Sequence, residues 1–136
     1  MPAAPIPTGD PLRVVVVDSD DRTRETLAGL LAIGGKVDVV ASAGRADAAL
    51  EAIAGTSPDV VVLDPRLPDT PGGLAFIARV RARWPEMRIL AMSSSGAVET
   101  DVLERGADRF IRKTYRPTDL AAAVASVDPR RASESV

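Results

Sequence analysis

The stretch Pro58-Asp59-Val60-Val61-Val62-Leu63-Asp64-Pro65-Arg66-Leu67-Pro68-Asp69-Thr70-Pro71-Gly72-Gly73 decides how this chain folds. Val60 to Leu63 is an unbroken apolar run, mostly β-branched. A strand with one wet face would alternate with polar residues, so this run reads as a strand covered on both faces. It ends on an acid and passes at once into proline, aspartate and glycine, the residues of turns. A strand over Asp59 to Asp64 therefore needs helices on either side of its sheet.

The neighbouring segments supply them. Leu12 to Asp18 repeats the pattern, a valine run closed by an acid. Between the two runs, Leu27, Leu30, Leu31 and Ile33 recur at helical spacing over Arg22 to Ile33, and Gly34-Gly35 stops that helix. Val37 to Ala41 reads as a strand, and Ala46, Ala49, Leu50 and Ile53 mark a second helix closed by Gly55. After the loop, Leu74, Ile77, Val80 and Trp84 form a third helical stripe stopped by Pro85. Ile89 to Met92 is a fourth strand running into Ser93, and Val98, Val102 and Leu103 mark a weak fourth helix. Arg109 to Arg112 is a fifth strand ending at Lys113, and Pro117 opens a fifth helix carrying Leu120, Val124 and Val127. The expected fold is a doubly wound (βα)5 α/β domain over residues 12–127 with a parallel five-stranded sheet. The proline-rich lead 1–11 and the polar tail 128–136 read as disordered flanks.

Composition limits the chemistry. The 136 residues contain no cysteine and no histidine, and the formal charge is −2. Disulfides, Cys/His metal sites, cysteine nucleophiles and histidine bases are excluded. The near-neutral balance offers no bulk case for binding nucleic acid or an anionic membrane. The longest apolar run, Leu120 to Ala125, falls far short of the ~20 residues of a membrane span. The N-terminus has no cationic start or apolar core, so no secretory signal is read and a cytoplasmic location is expected.

In open parallel sheets, sites form at the carboxyl ends of the strands. There the chain places Asp18, with Ser19, Asp20 and Asp21 behind it, then Asp64, Ser93 and Lys113. Lysine occurs only here and at Lys36. Each residue alone could be a cap, a turn residue or a solvated charge. Together they suit phosphoryl chemistry. A carboxylate can attack phosphorus, acids can hold Mg²⁺ with water, and a lysine and a hydroxyl can meet the phosphoryl oxygens.

With those residues in view, the chain resembles the receiver domains of two-component response regulators, the CheY-like family. The resemblance rests on VVVVDSDD (14–21), PDVVVLDPRLPDTPGG (58–73), RILAMS (88–93) and GADRFIRK (106–113). It implies a flavodoxin-like sheet of strand order 2-1-3-4-5. It implies Asp64 as phosphoacceptor, Ser93 as switch hydroxyl, Lys113 as the lysine pairing with the phosphoryl group and Phe110 as the aromatic switch. Asp18, Asp64 and the backbone carbonyl of Arg66 would hold Mg²⁺, with Asp20 a further candidate ligand. The donor would be a histidine kinase or phosphotransfer protein, which fits a chain with no histidine of its own. The face of helix four, strand five and helix five would contact a protein target, and a homodimer is a further partner to consider. No output domain is read after helix five, so a stand-alone receiver signalling by protein contact is expected, acting as a phosphoryl acceptor rather than an enzyme.

Four features depart from the family pattern. Ser19 replaces the second pocket acid, which predicts weakened Mg²⁺ affinity. Pro65 removes an amide donor beside Asp64. Thr114 replaces the proline that commonly follows the lysine, so a trans bond is expected. Ser93 and Lys113 stand 20 positions apart, a spacing short for the family, with the missing length in helix four. These departures keep a phosphorylation-independent pseudo-receiver as the alternative. A haloacid-dehalogenase-like phosphatase would use Asp18-Ser19-Asp20, but Arg22 stands at its usual Thr or Val, no late acid pair follows Lys113 and Asp64 has no role. A flavin protein would need a phosphate-cradling loop where the acids stand. Arg79, Arg81, Arg83 and Arg88 read as a solvated helix face, with a DNA or partner patch as the other option.

Overall fold

The valine runs become the middle of one parallel sheet. A computed structural model describes residues 10–113 and 116–128. In chain order the elements are β1 (Leu12–Val17), α1 (Asp21–Ala32), β2 (Val37–Ala43), α2 (Ala46–Thr56), β3 (Val60–Leu63), α3 (Thr70–Arg83), β4 (Arg88–Ser93), α4 (Glu99–Arg105), β5 (Arg109–Arg112) and α5 (Pro117–Ser126). A single 3-10 turn, Gly96–Val98, leads into α4. The strand order is β2-β1-β3-β4-β5, every pairing parallel. The (βα)5 fold and the expected strand order are thus present. Most of the lead, Thr114 and all but Asp128 of the tail lie outside the described residues.

The central strands divide their side chains between two cores, as a period of two requires. Val15, Val17, Val61, Leu63, Ile89 and Ala91 face α2, α3 and α4. Val14, Val16, Val60, Val62, Leu90 and Met92 face α1 and α5. β3 is buried along its whole length, so its run has no room for an alternating polar residue.

Two details differ from the sequence pattern. Ile33 lies past the end of α1 with extended backbone and is 68% exposed; Leu27 and Leu31 alone are buried on that helix. Phe76 sits off the stripe read for α3, yet it is among the largest fully buried side chains. Gly73, also buried on α3, lies against the backbone of Pro65 in the loop after β3. α4 is a seven-residue helix.

Candidate functional site

β1, β3 and β5 end on one edge of the sheet, and the side chains of the residues just past them meet there. The Lys113 ammonium donates to Asp18 Oδ2 at 2.9 Å and to Asp64 Oδ2 at 2.5 Å. Both acids are almost sealed, at 3% and 4% exposed. Burial alone would push the Lys113 pKa down. The hydrogen bonds and charges of Asp64 and Asp18 outweigh that, so it lies above the ordinary lysine value.

The other oxygen of each acid is held by its own loop. Asp18 Oδ1 accepts the amide of Asp20 at 2.9 Å, and Asp64 Oδ1 accepts the amide of Arg66 at 2.8 Å. The Asp64 loop therefore reaches past Pro65, which has no N–H, to the next amide. Among the described residues no buried side-chain polar atom lacks a partner.

Around the acids lies a cleft of about 290 Å³ walled by Ser19, Asp20, Thr23, Arg66 and Pro68. Asp20 Oδ1 caps α1 by accepting the Thr23 amide at 2.8 Å, and this backbone hydrogen bond leads the causes that lower its pKa. Ser19 Oγ donates to the Arg66 carbonyl at 3.1 Å. The Arg66 guanidinium, largely in solvent, lies 3.9 Å from Asp64 Oδ1.

Ser93 is buried at the end of β4. Its carbonyl accepts the Lys113 amide at 2.9 Å, and its hydroxyl accepts the Ser95 amide at 3.1 Å. Phe110 is half-buried against the α3–α4 core, one strand position from Ile111 on the other face. Lys113, Asp18 and Asp64 are thus in direct contact, Ser19, Asp20 and Arg66 form the cleft wall, and Ser93 and Phe110 are not among the residues that line it.

The donor set suits Mg²⁺. Two carboxylates and a carbonyl are hard oxygen ligands, and Mg²⁺ is commonly held by one or two carboxylates while keeping waters. Among the described residues no three acids cluster closely enough to hold a metal by themselves, so waters and the carbonyl would complete the shell.

Arg24 and Arg81 make contacts that the sequence pattern does not signal. Arg24 Nη1 donates to the Asp18 carbonyl at 2.7 Å, and Nη2 donates to Asp21 Oδ1 at 2.7 Å. Arg81 is not part of a solvated face. It donates to the carbonyls of Gly106, Pro85 and Met87 and to Asp108. A larger hollow, about 440 Å³ beside Pro58, Trp84 and Met87, opens at the opposite ends of the strands. There Arg83 stacks 4.6 Å over the Trp84 ring, and no pair of acids converges with a lysine. No helix among the described residues is long and apolar enough to cross a membrane.

Comparison with known proteins agrees with this geometry. The family model of the response regulator receiver domain matches residues 14–125. The chain is 33% identical over 122 residues to the DNA-binding transcriptional activator DevR/DosR of Mycobacterium tuberculosis, covering 88% of this chain and 56% of that protein. It is 33% identical to protein-glutamate methylesterase/protein-glutamine glutaminase 5 of Anaeromyxobacter dehalogenans over 96% of this chain and 40% of that one. It spans about half the length of the curated relatives it matches. Among solved structures, the signal receiver domain of NarL from M. tuberculosis superposes with a TM-score of 0.78 at 34% identity, covering 86% of this chain and 95% of that one. A LuxR-family two-component response regulator from Aurantimonas superposes with a TM-score of 0.80 at 28% identity, over 92% and 95%.

Proposed function

This chain belongs to the response regulator receiver domain family, and from that premise we propose that it accepts a phosphoryl group on Asp64 and signals by changing its contact with a protein target. The observation that carries the reading is Lys113 bonded at once to Asp64 and Asp18, side chains from three strands. Receiver domains work with histidine kinases or phosphotransfer proteins, and such a partner is the donor here.

An Asp64 carboxylate oxygen forms the new bond to phosphorus while the bond from phosphorus to the donor breaks, its electron pair leaving with the donor. The acyl phosphate brings added negative charge into a nearly closed site. Lys113 is already placed to meet that charge, and Arg66 stands at the cleft mouth. Ser93 exchanges the Ser95 amide for a phosphoryl oxygen, and Phe110 follows by packing inward. The face formed by α4, β5 and α5 then carries the change to the target.

Asp18, Asp64 and the Arg66 carbonyl would hold Mg²⁺, with Asp20 a further ligand. The ion supplies charge neutralisation when bound. Affinity is lowered by Ser19, which brings no charge and hydrogen-bonds the carbonyl the ion needs. The same feature favours one second reading, an interaction module that works unphosphorylated, because Lys113 and two amides satisfy both acids without a metal.

Intact-mass measurement after incubation with acetyl phosphate and Mg²⁺ decides between them. An adduct on the parent, absent from Asp64→Asn, supports the acceptor. No adduct, with target binding indifferent to Asp64→Asn, supports the module.

A further inference from the structure

We propose that Arg24 is the positioning residue of the acid site, acting through the backbone of Asp18; this rests on the acceptor reading above. Asp18 is the first residue past β1. Its N–H still finds the sheet, donating to the Ala43 carbonyl at 3.1 Å. Its carbonyl, in a residue only 3% exposed, lies beyond the strand and needs a donor of its own.

Arg24 provides that donor from the first turns of α1. One guanidinium nitrogen takes the Asp18 carbonyl at 2.7 Å, and the other is anchored by Asp21 at 2.7 Å. The Arg24 side chain is 18% exposed while Asp21 is 83% exposed. The ion pair in solvent is therefore worth little in stability, and the bond to the buried carbonyl is the one that matters. With N–H and carbonyl both fixed, the Asp18 carboxylate is held toward Lys113 and Asp64.

Gly44 completes the device. A Cβ on Gly44 would stand 2.7 Å from Arg24 Nη1 and 3.6 Å from the Asp18 carbonyl oxygen. The glycine after β2 leaves the notch in which the guanidinium lies. Two unrelated substitutions thus disturb one contact. Arg24→Met removes the donor, and Gly44→Ala displaces it. Arg24→Lys keeps a cation but cannot hold two acceptors in a fork.

The test follows the backbone amides of Asp20 and Arg66 by NMR in the full chain, through a Mg²⁺ titration, beside urea unfolding and acetyl phosphate uptake. The Asp20 amide bonds to Asp18 Oδ1, so it reports on the carboxylate directly. Arg24→Met is expected to shift that amide and weaken Mg²⁺ binding about tenfold, a size usual for residues that orient ligands. Gly44→Ala should move both readouts the same way, and Arg24→Lys should fall between. If Arg24→Met does not fold, Gly44→Ala and Arg24→Lys carry the test. An unchanged Asp20 amide and unchanged Mg²⁺ affinity in folded variants, even with lowered stability, overturn the positioning role. Failure of the parent to take up phosphoryl groups would instead overturn the acceptor reading, and the amide shifts would still judge Arg24.

Discussion

Asp18 and Asp64 hold their carboxylates by one and the same device: in each, Oδ1 accepts the amide two residues on, and Oδ2 accepts Lys113. The two acids end neighbouring parallel strands, β1 and β3, and each loop turns back over its own carboxylate. Two carboxylates this buried are held by the shared cation and by one loop amide each. The bridge leaves the trio with one net negative charge, which a metal ion or a change at Asp64 would rebalance.

Removing the bridge should therefore cost more than removing one acid. Lys113→Met leaves two buried carboxylates facing each other and is expected to lose about 3 kcal/mol of stability at pH 7. Asp64→Asn leaves an Asp18–Lys113 pair and should lose less. Urea unfolding followed by far-UV circular dichroism measures both. The Lys113 pKa is raised on folding, so its contribution is complete below the ordinary value of 10.5 and is lost as pH rises through the raised value. Above pH 10.5 the parent should lose stability more steeply than Lys113→Met, and equal slopes would refute the assignment.

Ser19→Asp supplies the missing acid beside the Arg66 carbonyl and removes the hydroxyl that donates to it. Tighter Mg²⁺ binding by at least about tenfold is expected, a change in affinity of about 1.4 kcal/mol. Titration read by the amides of the cleft measures it. Trp84 fluorescence would report poorly, since Trp84 lies at the opposite ends of the strands.

Gly73 is where α3 meets the loop of Asp64. A Cβ there would fall 1.5 Å from the Pro65 carbonyl oxygen, so Gly73→Ala must shift either the helix start or the loop. A loss of about 2 kcal/mol is expected, with impaired phosphoryl uptake. Gly29 lies within α1 with nothing within 4 Å of an added Cβ. Gly29→Ala should stabilise by about 0.5–1 kcal/mol through helix propensity and leave uptake intact. The opposite signs are read from paired thermal melts.

Arg81 joins the carbonyls of Gly106, Pro85 and Met87 to Asp108, whose carboxylate also accepts the Ile89 amide at 2.8 Å. Arg81→Ala should cost about 2–3 kcal/mol, because it strips charge-assisted bonds from several partly buried acceptors. The exposed Arg79→Ala should stay within about 0.5 kcal/mol. Phosphoryl uptake per folded molecule should be the same in both, since these contacts sit at the strand ends opposite the acids.

The fold was legible because burial writes itself into sequence. Val14 to Val17 and Val60 to Leu63 carry no polar residue, and helices marked by spaced leucines lie between the strands. The acids and Lys113 were legible because each closes a strand, and topology alone gathers strand ends. What stayed hidden depends on side chains reaching backbone. Arg24 on the Asp18 carbonyl, Ser19 on the Arg66 carbonyl and Arg81 on Gly106 join residues 6, 47 and 25 positions apart. A bond to a carbonyl makes no demand on the partner's residue type, so it leaves no pattern to read. Ile33 misled because helical spacing does not say where Gly34 and Gly35 break the helix.

On the proposed acceptor reading Asp64, and not Asp18, forms the acyl phosphate. Borohydride reduction of the phosphorylated chain converts an acyl-phosphorylated aspartate to homoserine, and peptide sequencing by mass spectrometry then locates it. Homoserine at position 64 alone is the expected result. Homoserine at position 18, or none in a chain incubated with acetyl phosphate and Mg²⁺, would contradict it.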